Sequence, residues 1–295
     1  MKVNIQWIAI TAIILLTCAT SHAQTGYKSL FIGHSFFKLF ADGMMFHTVQ
    51  AGITGHTQDV IFSGGCTGAP QALWENEVKG PQIRAILDNG DIEFFGMTYC
   101  GEYPTIEGYI NWFNYALSKN PNTRFALALP WEDYPAAKST SEYASHYHNS
   151  HDNAWHDLID TLRSLYPGVE IICIPYGRSA SELRLLLDAG NLPDVDVLTG
   201  TASNAIYVDN KGHAGNVLRE LGKLVWLNAI YGVDLSTYAY EPAYTTDLKA
   251  IAQMIMDEHD DELVSSASVP IMGNFGLLTL GFSMLSLGVA RTRKK

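Results

Sequence analysis

The chain has 295 residues, of which 47% are hydrophobic, and its formal net charge is −11 at pH 7. All 30 acidic residues lie within residues 24–264, while five of the 19 basic residues lie outside that range, which leaves 14 basic residues and a net charge of −16 there. Such a surface repels nucleic acid and anionic membranes, and it favours a neutral or weakly charged substrate.

The first 23 residues have the composition of a secretory signal peptide. Lys2 provides a basic start, residues 8–16 form an apolar stretch, and Ala23 ends a small-residue segment suited to cleavage. A lipoprotein signal at Cys18 is disfavoured because Thr17, rather than glycine or alanine, precedes it. We therefore predict that the protein is exported.

Short apolar segments alternate with longer segments of helical periodicity between residues 24 and 264. The apolar segments, which we predict to be buried strands, are 30–32, 60–62, 92–96, 125–129 and 171–174. Helical patterns follow them, for example at 106–117 and 154–165. This alternation predicts one α/β domain of about 240 residues, a three-layer sandwich with a central parallel sheet flanked by helices.

Ser35 stands between the first predicted strand and a helical pattern, directly after Gly33 and His34. A serine at such a turn presents its hydroxyl at the edge of the sheet, and its own N–H faces the space where an attacked carbonyl oxygen gains charge. A serine is also favoured as a helix N-cap for purely structural reasons. The nucleophile hypothesis therefore depends on a partner base.

Several other candidate site residues follow predicted strands. They are Gly65, with Gly64 as a close alternative, after the second strand, Thr98 and Tyr99 after the third, and Trp131 after the fourth. Ligands bind at the carboxyl ends of the strands of a parallel sheet, so we expect these residues near Ser35. We predict that His34, Tyr99 and Trp131 contact substrate, although Trp131 could equally cover the core.

Three cysteines remain after removal of the signal peptide, so at least one thiol is unpaired. Cys66 and Cys100 each follow a predicted strand near the proposed site and can form a disulfide in an oxidising compartment. Cys173 lies in an apolar segment, and we predict that it is a buried core residue.

A group of histidines occupies the middle of the chain, at positions 146, 148, 151 and 156, with Asp152 among them. Positions 148, 152 and 156 would share one face of a helix, a spacing able to bind a transition metal. No short-spaced ligand motif completes the set, and the polar start of a helix commonly collects such residues. We therefore predict no metal site here.

Asp209 and His213 precede an apolar pattern of helical spacing at residues 217–225. A short loop before a helix can bring a carboxylate to one imidazole nitrogen while the other nitrogen faces a serine. A lone histidine is usually a structural side chain, but the combination with Ser35 favours a Ser-His-Asp hydrolase.

These motifs resemble those of the SGNH (GDSL-like) hydrolases, over residues 28–232. The resemblance implies an SGNH or flavodoxin-like fold and a serine-dependent attack on esters. It further implies that Ser35 is the nucleophile, that His213 is the general base, and that Asp209 orients the imidazole.

The resemblance also implies an oxyanion hole formed by Ser35, Gly65 and a third donor. The family has an asparagine at the third position, where this chain has Thr98, so we expect a weaker third donor. The Asp-His loop is one residue longer than the family pattern. Gly212 supplies the extra residue, and glycine is the residue best able to absorb an insertion.

The last 31 residues form a three-part tail: a polar hinge at 265–268, an apolar stretch at 275–290, and a basic end at 291–295. With Val269-Pro270 this tail resembles the PEP-CTERM sorting signals of Gram-negative bacteria, which implies at least transient membrane anchoring and an exosortase-type processing partner. A plain tail anchor is the alternative, because residues 269–290 are long enough to span a bilayer. We expect residues from 269 onward to serve location and not folding.

The sequence therefore predicts an exported, periplasmic or surface-attached serine esterase that forms an acyl-enzyme, with de-O-acetylation of an extracellular polysaccharide as the substrate hypothesis. A lipase or thioesterase is the enzymatic alternative, and a glycan-binding module with weakened catalysis is the alternative from another class. A serine nucleophile with its own base needs no Lewis acid, so we predict no metal or other cofactor for turnover.

Overall fold

A five-stranded, fully parallel sheet forms the centre of the protein in the computed structural model, which describes residues 24–101, 103 and 105–267. Its strands are β1 (Lys28–Gly33), β2 (Thr57–Phe62), β3 (Phe94–Thr98), β4 (Arg124–Ala128) and β5 (Ile171–Ile174), in the order β2-β1-β3-β4-β5. All five predicted strands are confirmed. Two short strands, β6 (Val197–Thr199) and β7 (Ala205–Tyr207), form a second parallel sheet that the sequence did not predict.

Helices cover both faces of the central sheet. They are α1 (Ser35–Gln50), α2 (Pro70–Glu75), α3 (Lys79–Leu87), α4 (Glu107–Lys119), α5 (Thr140–Ser150), α6 (His156–Leu165), α7 (Arg178–Asp188), α8 (Asn216–Tyr231) and α9 (Leu248–Ala267). One hydrophobic core lies between the sheet and α1, α7, α8 and α9, and another lies between the sheet and α2, α3, α4 and α6. This is the three-layer α/β sandwich that the sequence predicted.

Alternation along the central strands explains why both cores form. In β1, Phe31 packs into the core beneath α1 and α8, whereas Leu30 and Ile32 pack into the core on the opposite face. Successive side chains of a strand point to opposite faces of the sheet. A strand covered on both faces is therefore apolar throughout, which is the signal by which the sequence revealed β1.

The strand order reverses between β1 and β3, since the chain moves from β1 outward to β2 and then returns to the other side of β1. The connections after β1 and β3 leave the sheet towards opposite faces and open a crevice at their carboxyl ends. Such a switch point is where open α/β sheets bind ligands. Ser35 follows β1 at this point, and Tyr99 follows β3.

The chain ends that carry the predicted signal peptide (residues 1–23) and most of the predicted tail (residues 268–295) lie outside the described residues. The α9 helix continues to residue 267, so the first three residues of the predicted hinge are helical. No glycine or proline interrupts the helix there. Within residues 24–101, 103 and 105–267, no helix combines the length and apolar content that a membrane span needs.

Candidate active site

Ser35 is the first residue of α1, and only His34 separates it from the end of β1. This turn is tight: a Cβ atom at Gly33 would lie 2.6 Å from the ring of Phe37, so a larger residue would collide with the helix. His34 caps the helix, because its Nδ1 accepts the N–H of Phe36 at 3.2 Å. The cap leaves the Ser35 hydroxyl at the edge of the sheet.

The structure brings Ser35, His213 and Asp209 together in one hydrogen-bonded series. Ser35 Oγ lies 2.9 Å from His213 Nε2, and His213 Nδ1 lies 2.7 Å from Asp209 Oδ2. These contacts require the tautomer in which Nδ1 carries the proton, so that Nε2 can accept the serine hydroxyl. The residues span 178 positions of sequence, yet their geometry is that of a nucleophile, a base and an orienting carboxylate.

The loop from Asp209 to His213 is held by the Asp209 carboxylate. Its Oδ1 accepts the N–H groups of Gly212 at 2.9 Å and of His213 at 3.1 Å. Burial alone would raise the pKa of Asp209, but the hydrogen bonds from the His213 backbone, the imidazole and the Gly212 backbone outweigh it and lower the pKa. Gly212 has a φ of 104°, a conformation that favours glycine, and so accommodates the extra residue of this loop.

Two aromatic side chains, Trp131 and Phe36, hold the loop from Asp209 to His213 in place. The Trp131 Nε1 donates a hydrogen bond of 2.8 Å to the carbonyl of Gly212, and its ring stacks on Phe36 with centroids 5.0 Å apart. Phe36 in turn meets the imidazole of His213 edge to face, also at 5.0 Å. Trp131 is 3% exposed. It therefore covers the core, supports the histidine loop and lines the cavity described below, so both readings of this residue from the sequence have a structural basis.

The two predicted backbone donors of the oxyanion hole, Ser35 and Gly65, both line the cavity described below. In the first turn of α1, the N–H groups of Phe36, Phe37 and Lys38 bond to His34, which leaves the Ser35 N–H for a ligand within the described part of the chain. Gly65 begins a short 3₁₀ helix, Gly65–Gly68, with a left-handed φ of 53°. Gly68 at its other end packs so closely that a Cβ atom there would lie 2.4 Å from the Gly33 carbonyl oxygen.

A disulfide joins Cys66 to Cys100 and so ties the loop after β2 to the loop after β3. The prediction that these two residues can pair is confirmed, as is the burial of the free thiol of Cys173 in the core. Both paired cysteines line the candidate cavity. The disulfide therefore fixes the position of Gly65 relative to the switch point.

The side chains of His34 and Thr98 bond to each other behind the site. His34 Nε2 lies 3.1 Å from Thr98 Oγ1 and 3.2 Å from the carbonyl oxygen of Tyr99. Thr98 is fully buried and its hydroxyl also donates to the Tyr99 carbonyl. Burial lowers the pKa of His34 to about 4, although the bond to Tyr99 opposes the shift. This geometry favours a positioning role for Thr98, through His34, over direct donation to an oxyanion.

A cavity of about 460 Å³ opens over Ser35. Its walls include His34, Gly65, Tyr99 and Trp131, as the sequence predicted, and also residues that the sequence did not indicate. The latter include Tyr134, His146 and Lys211, whereas Glu132 and Asp133 directly follow Trp131 at the end of the fourth strand, where the sequence indicated a substrate cleft. Both ring nitrogens of His34 are bonded within the protein, so His34 can offer a ligand only its ring surface.

Tyr134 is the most unusual residue of the cavity wall. It is 58% exposed and is the one non-glycine residue of the described chain with a positive φ, 56°. Its N–H donates to the carbonyl of Lys211, which links it to the loop of His213. A strained backbone of this kind is concentrated at functional sites.

The histidines of the middle segment separate into two environments. His146 lines the cavity and lies 3.5 Å from Glu132. His151 and His156 instead meet His259 of α9, a partner that no sequence spacing indicated. The predicted set of positions 148, 152 and 156 is not the one that the structure groups.

No protein-family model matches the chain, and no curated protein matches it either. Among solved structures, the chain is similar to a DUF4886 family protein from Bacteroides uniformis, with 16% sequence identity, a TM-score of 0.52, and coverage of 80% of this chain and 96% of that chain. At this identity the similarity concerns the fold, and it agrees with the parallel α/β sandwich described above.

Two other solved structures are similar at lower TM-scores. The periplasmic domain of a lipopolysaccharide acetyltransferase from Salmonella ser. Paratyphi A gives a TM-score of 0.42 at 14% identity, over 71% of this chain and 84% of that chain. A GDSL-like lipase from Parabacteroides merdae gives 0.40 at 16% identity, over 70% and 97%.

Proposed function

We propose that the chain is an exported serine esterase of the SGNH type, which cleaves a carboxylic ester through an acyl-enzyme. One observation carries the proposal: Ser35, His213 and Asp209 form a continuous hydrogen-bonded series beneath a cavity at the carboxyl edge of the sheet. Serine is a poor nucleophile at its ordinary pKa, and an imidazole nitrogen 2.9 Å from its hydroxyl is the base that activates it.

In the acylation half-reaction, Ser35 Oγ attacks the ester carbonyl carbon while His213 Nε2 takes the hydroxyl proton. Asp209 keeps the imidazole in the required tautomer and stabilises the imidazolium that forms. The N–H groups of Ser35 and Gly65 stabilise the negative oxygen. The imidazolium then gives its proton to the leaving alcohol oxygen, the C–O bond breaks, and the acyl group remains on Ser35.

In the deacylation half-reaction, the same groups act on water. His213 takes a proton from a water molecule as the water oxygen attacks the acyl carbon, and then returns a proton to Ser35 Oγ as the carboxylic acid leaves. Thr98 supports His34 and, through it, the turn that presents Ser35.

We propose an acylated extracellular polysaccharide as the substrate class. A cavity of about 460 Å³ has the size of a small-ligand site, which suits a short acyl group and one sugar unit. The exposed ring of Tyr134 can pack on a sugar face, and Glu132 and Asp133 can accept bonds from hydroxyls. The acidic surface disfavours anionic substrates. Export, the membrane-anchoring tail and an exosortase-type partner belong to the same proposal.

Turnover of p-nitrophenyl acetate by the purified chain tests the chemistry. Ser35→Ala should lower kcat/KM by at least about a thousandfold, since loss of the nucleophile leaves only binding and oxyanion stabilisation. Ser118→Ala on α4 is the matched control and should leave kcat/KM unchanged. Equal turnover by the wild type and by Ser35→Ala would contradict the proposal.

Two further measurements separate the alternatives. A series of p-nitrophenyl esters of increasing chain length should show a preference for acetyl, whereas a lipase would prefer long acyl chains. Binding of an acetylated polysaccharide without any release of acetate would favour the glycan-binding module instead.

A further inference from the structure

A second group of functional side chains lies on the α5–α6 side of the molecule. This histidine cluster consists of His151, His156 and His259, and one ring nitrogen from each lies within 4.8 Å of those of the other two. His151 Nε2 and His259 Nδ1 are 3.2 Å apart. His151 and His259 are each 3% exposed, and His156 is half-buried. None of the three lines the catalytic cavity.

A π-helical turn, His151–Trp155, creates this cluster. The N–H of His156 bonds to the carbonyl of His151, five residues earlier. These residues therefore lie one turn apart, and their rings meet edge to face with centroids 4.3 Å apart. In a regular α-helix, residues five apart diverge by about 140° around the axis. π-Helical turns are rare and occur frequently at functional sites.

The nitrogen geometry fits a transition metal. With Zn–N bonds of 2.0–2.1 Å, two ligand nitrogens of a tetrahedral site lie about 3.3 Å apart. The separation between His151 and His259 is 3.2 Å. The ligand atoms that this pair implies are His151 Nε2 and His259 Nδ1, which lie at hydrogen-bond distance from each other. A cavity of about 10 Å³ adjoins His151 and His259, which is close to the space that one water needs.

Burial also suits a ligand, because a metal binds the neutral imidazole and burial of His259 favours that form. Two arginines lie near the cluster, and both are ion-paired. Arg163 pairs with Asp160, and Arg178 pairs with Glu182 and Glu258.

We propose that His151, His156 and His259 bind one transition-metal ion of the Zn²⁺ class, with water in the fourth position, and that the ion fastens α9 to the segment between α5 and α6. Imidazole is a preferred ligand of zinc, copper and nickel. The three residues come from parts of the chain 108 positions apart, so a shared ion would stabilise the last described helix. The site is separate from the catalytic series, and the proposal does not depend on the esterase function.

Titration of the metal-depleted full chain with ZnCl₂ in a calorimeter tests this site. We expect one saturable site per chain and a Tm that rises with Zn²⁺ concentration. His156→Gln is the main variant, because half-burial makes its replacement tolerable to the fold. Loss of an outer-shell partner weakens metal binding by about 10–100-fold, so loss of a ligand should weaken it by at least about a hundredfold. His146→Gln, on α5 but outside both the cluster and the cavity beside it, should leave the Zn²⁺ affinity unchanged.

Two more readouts make the outcome specific. Co²⁺ should give the visible absorption of a four-coordinate site in the wild type and the His146→Gln variant, and this absorption should be lost in His156→Gln. Metal removal should lower Tm without changing ester turnover at a temperature where the protein is folded. The proposal is overturned by an absence of saturable Zn²⁺ binding, by His156→Gln binding as tightly as the wild type, or by equal weakening in His146→Gln.

Discussion

His213, the proposed general base, and the histidine cluster show the same side chain in two opposite settings. His213 is partly exposed at the edge of the sheet, with a carboxylate 2.7 Å from one ring nitrogen and a hydroxyl 2.9 Å from the other. His259 is buried on the α5–α6 side, and its neighbours are imidazoles instead of carboxylates.

The difference between these regions teaches that partners decide what an imidazole does. A carboxylate stabilises the imidazolium, so His213 can accept a proton during a reaction. Burial and the neighbouring imidazoles disfavour the charged form, so His259 favours the neutral form that the proposed metal site requires. The two regions should therefore respond differently to the same substitution.

The largest expected effect comes from replacing a histidine by glutamine in each region. His213→Gln should lower kcat/KM for p-nitrophenyl acetate by at least about a thousandfold, because no base then activates Ser35. His259→Gln should keep turnover within about twofold of the wild type while weakening Zn²⁺ binding. Steady-state kinetics and metal titration on both variants check the pair. A large loss of turnover in a folded His259→Gln variant would break the comparison.

The disulfide provides a second test of the comparison. Of the two regions, as far as the described residues show, the edge that holds Ser35 contains a disulfide and the histidine cluster does not. The Cys66–Cys100 bond closes a loop with a sequence separation of 34, and its removal should lower the free energy of unfolding by about 3–4 kcal/mol. Urea unfolding of a Cys66→Ser/Cys100→Ser variant measures this. Its turnover should also fall as Gly65 loosens, whereas Zn²⁺ affinity should not change. If stability and turnover were both unchanged, the disulfide would have no role in holding the site.

The indole of Trp131 sharpens the account of how His213 is held. Trp131→Phe removes the hydrogen bond to the Gly212 carbonyl while keeping an aromatic ring, and kcat should fall about tenfold with little change in KM. Trp226→Phe is the matched control, because the buried Trp226 Nε1 has no hydrogen-bond partner among the described residues. Equal kcat losses in the two variants would indicate a general packing effect.

The smallest expected effect is the contribution of His34 to the pH dependence of stability. It tests how much the burial of a neutral imidazole beside Ser35 destabilises the fold at low pH. Burial lowers its pKa from 6.5 to about 4, so between these pH values the unfolded chain binds a proton that the folded chain does not. Stability should therefore fall as pH falls from 6.5 to 4, with a contribution from His34 of at most about 1.4 kcal/mol per pH unit.

His34→Asn preserves an acceptor for the Phe36 N–H and removes the titrating group. Chemical denaturation at a series of pH values should show a shallower dependence in this variant than in the wild type. His47 and His259, whose pKa values burial also lowers, should maintain the remaining slope. A slope identical to that of the wild type would exclude His34 as a contributor.

Much of the fold and of the catalytic series could be predicted because the relevant signals are local. Each of the five central strands contains an apolar run, Ser35 begins the helix after the first of them, and His213 lies in the loop shortly before α8. The disulfide was predictable because Cys66 and Cys100 both follow strands that end at one edge. The strands β6 and β7 were not predicted because each has only three residues, too few for a recognisable periodicity.

The remaining features depend on contacts that sequence spacing does not encode. The bond from Trp131 to Gly212 joins positions 81 residues apart. The histidine cluster needs both a π-helical turn, which changes the spacing of partners from four to five, and a residue from α9. The hydrogen bond between Thr98 and His34 likewise depends on the pairing of β3 with β1, which joins residues 64 positions apart.

Covalent labelling of Ser35 tests the central claim most directly. A fluorophosphonate probe reacts with a serine only where an adjacent base activates its hydroxyl. We predict one label per chain, located on Ser35 by peptide mass spectrometry, absent in Ser35→Ala and strongly reduced in His213→Ala. Asp209→Ala should retain more reactivity than His213→Ala, since Asp209 orients the base without taking the proton. Labelling of another serine, or labelling that persists in His213→Ala at the wild-type rate, would contradict the account.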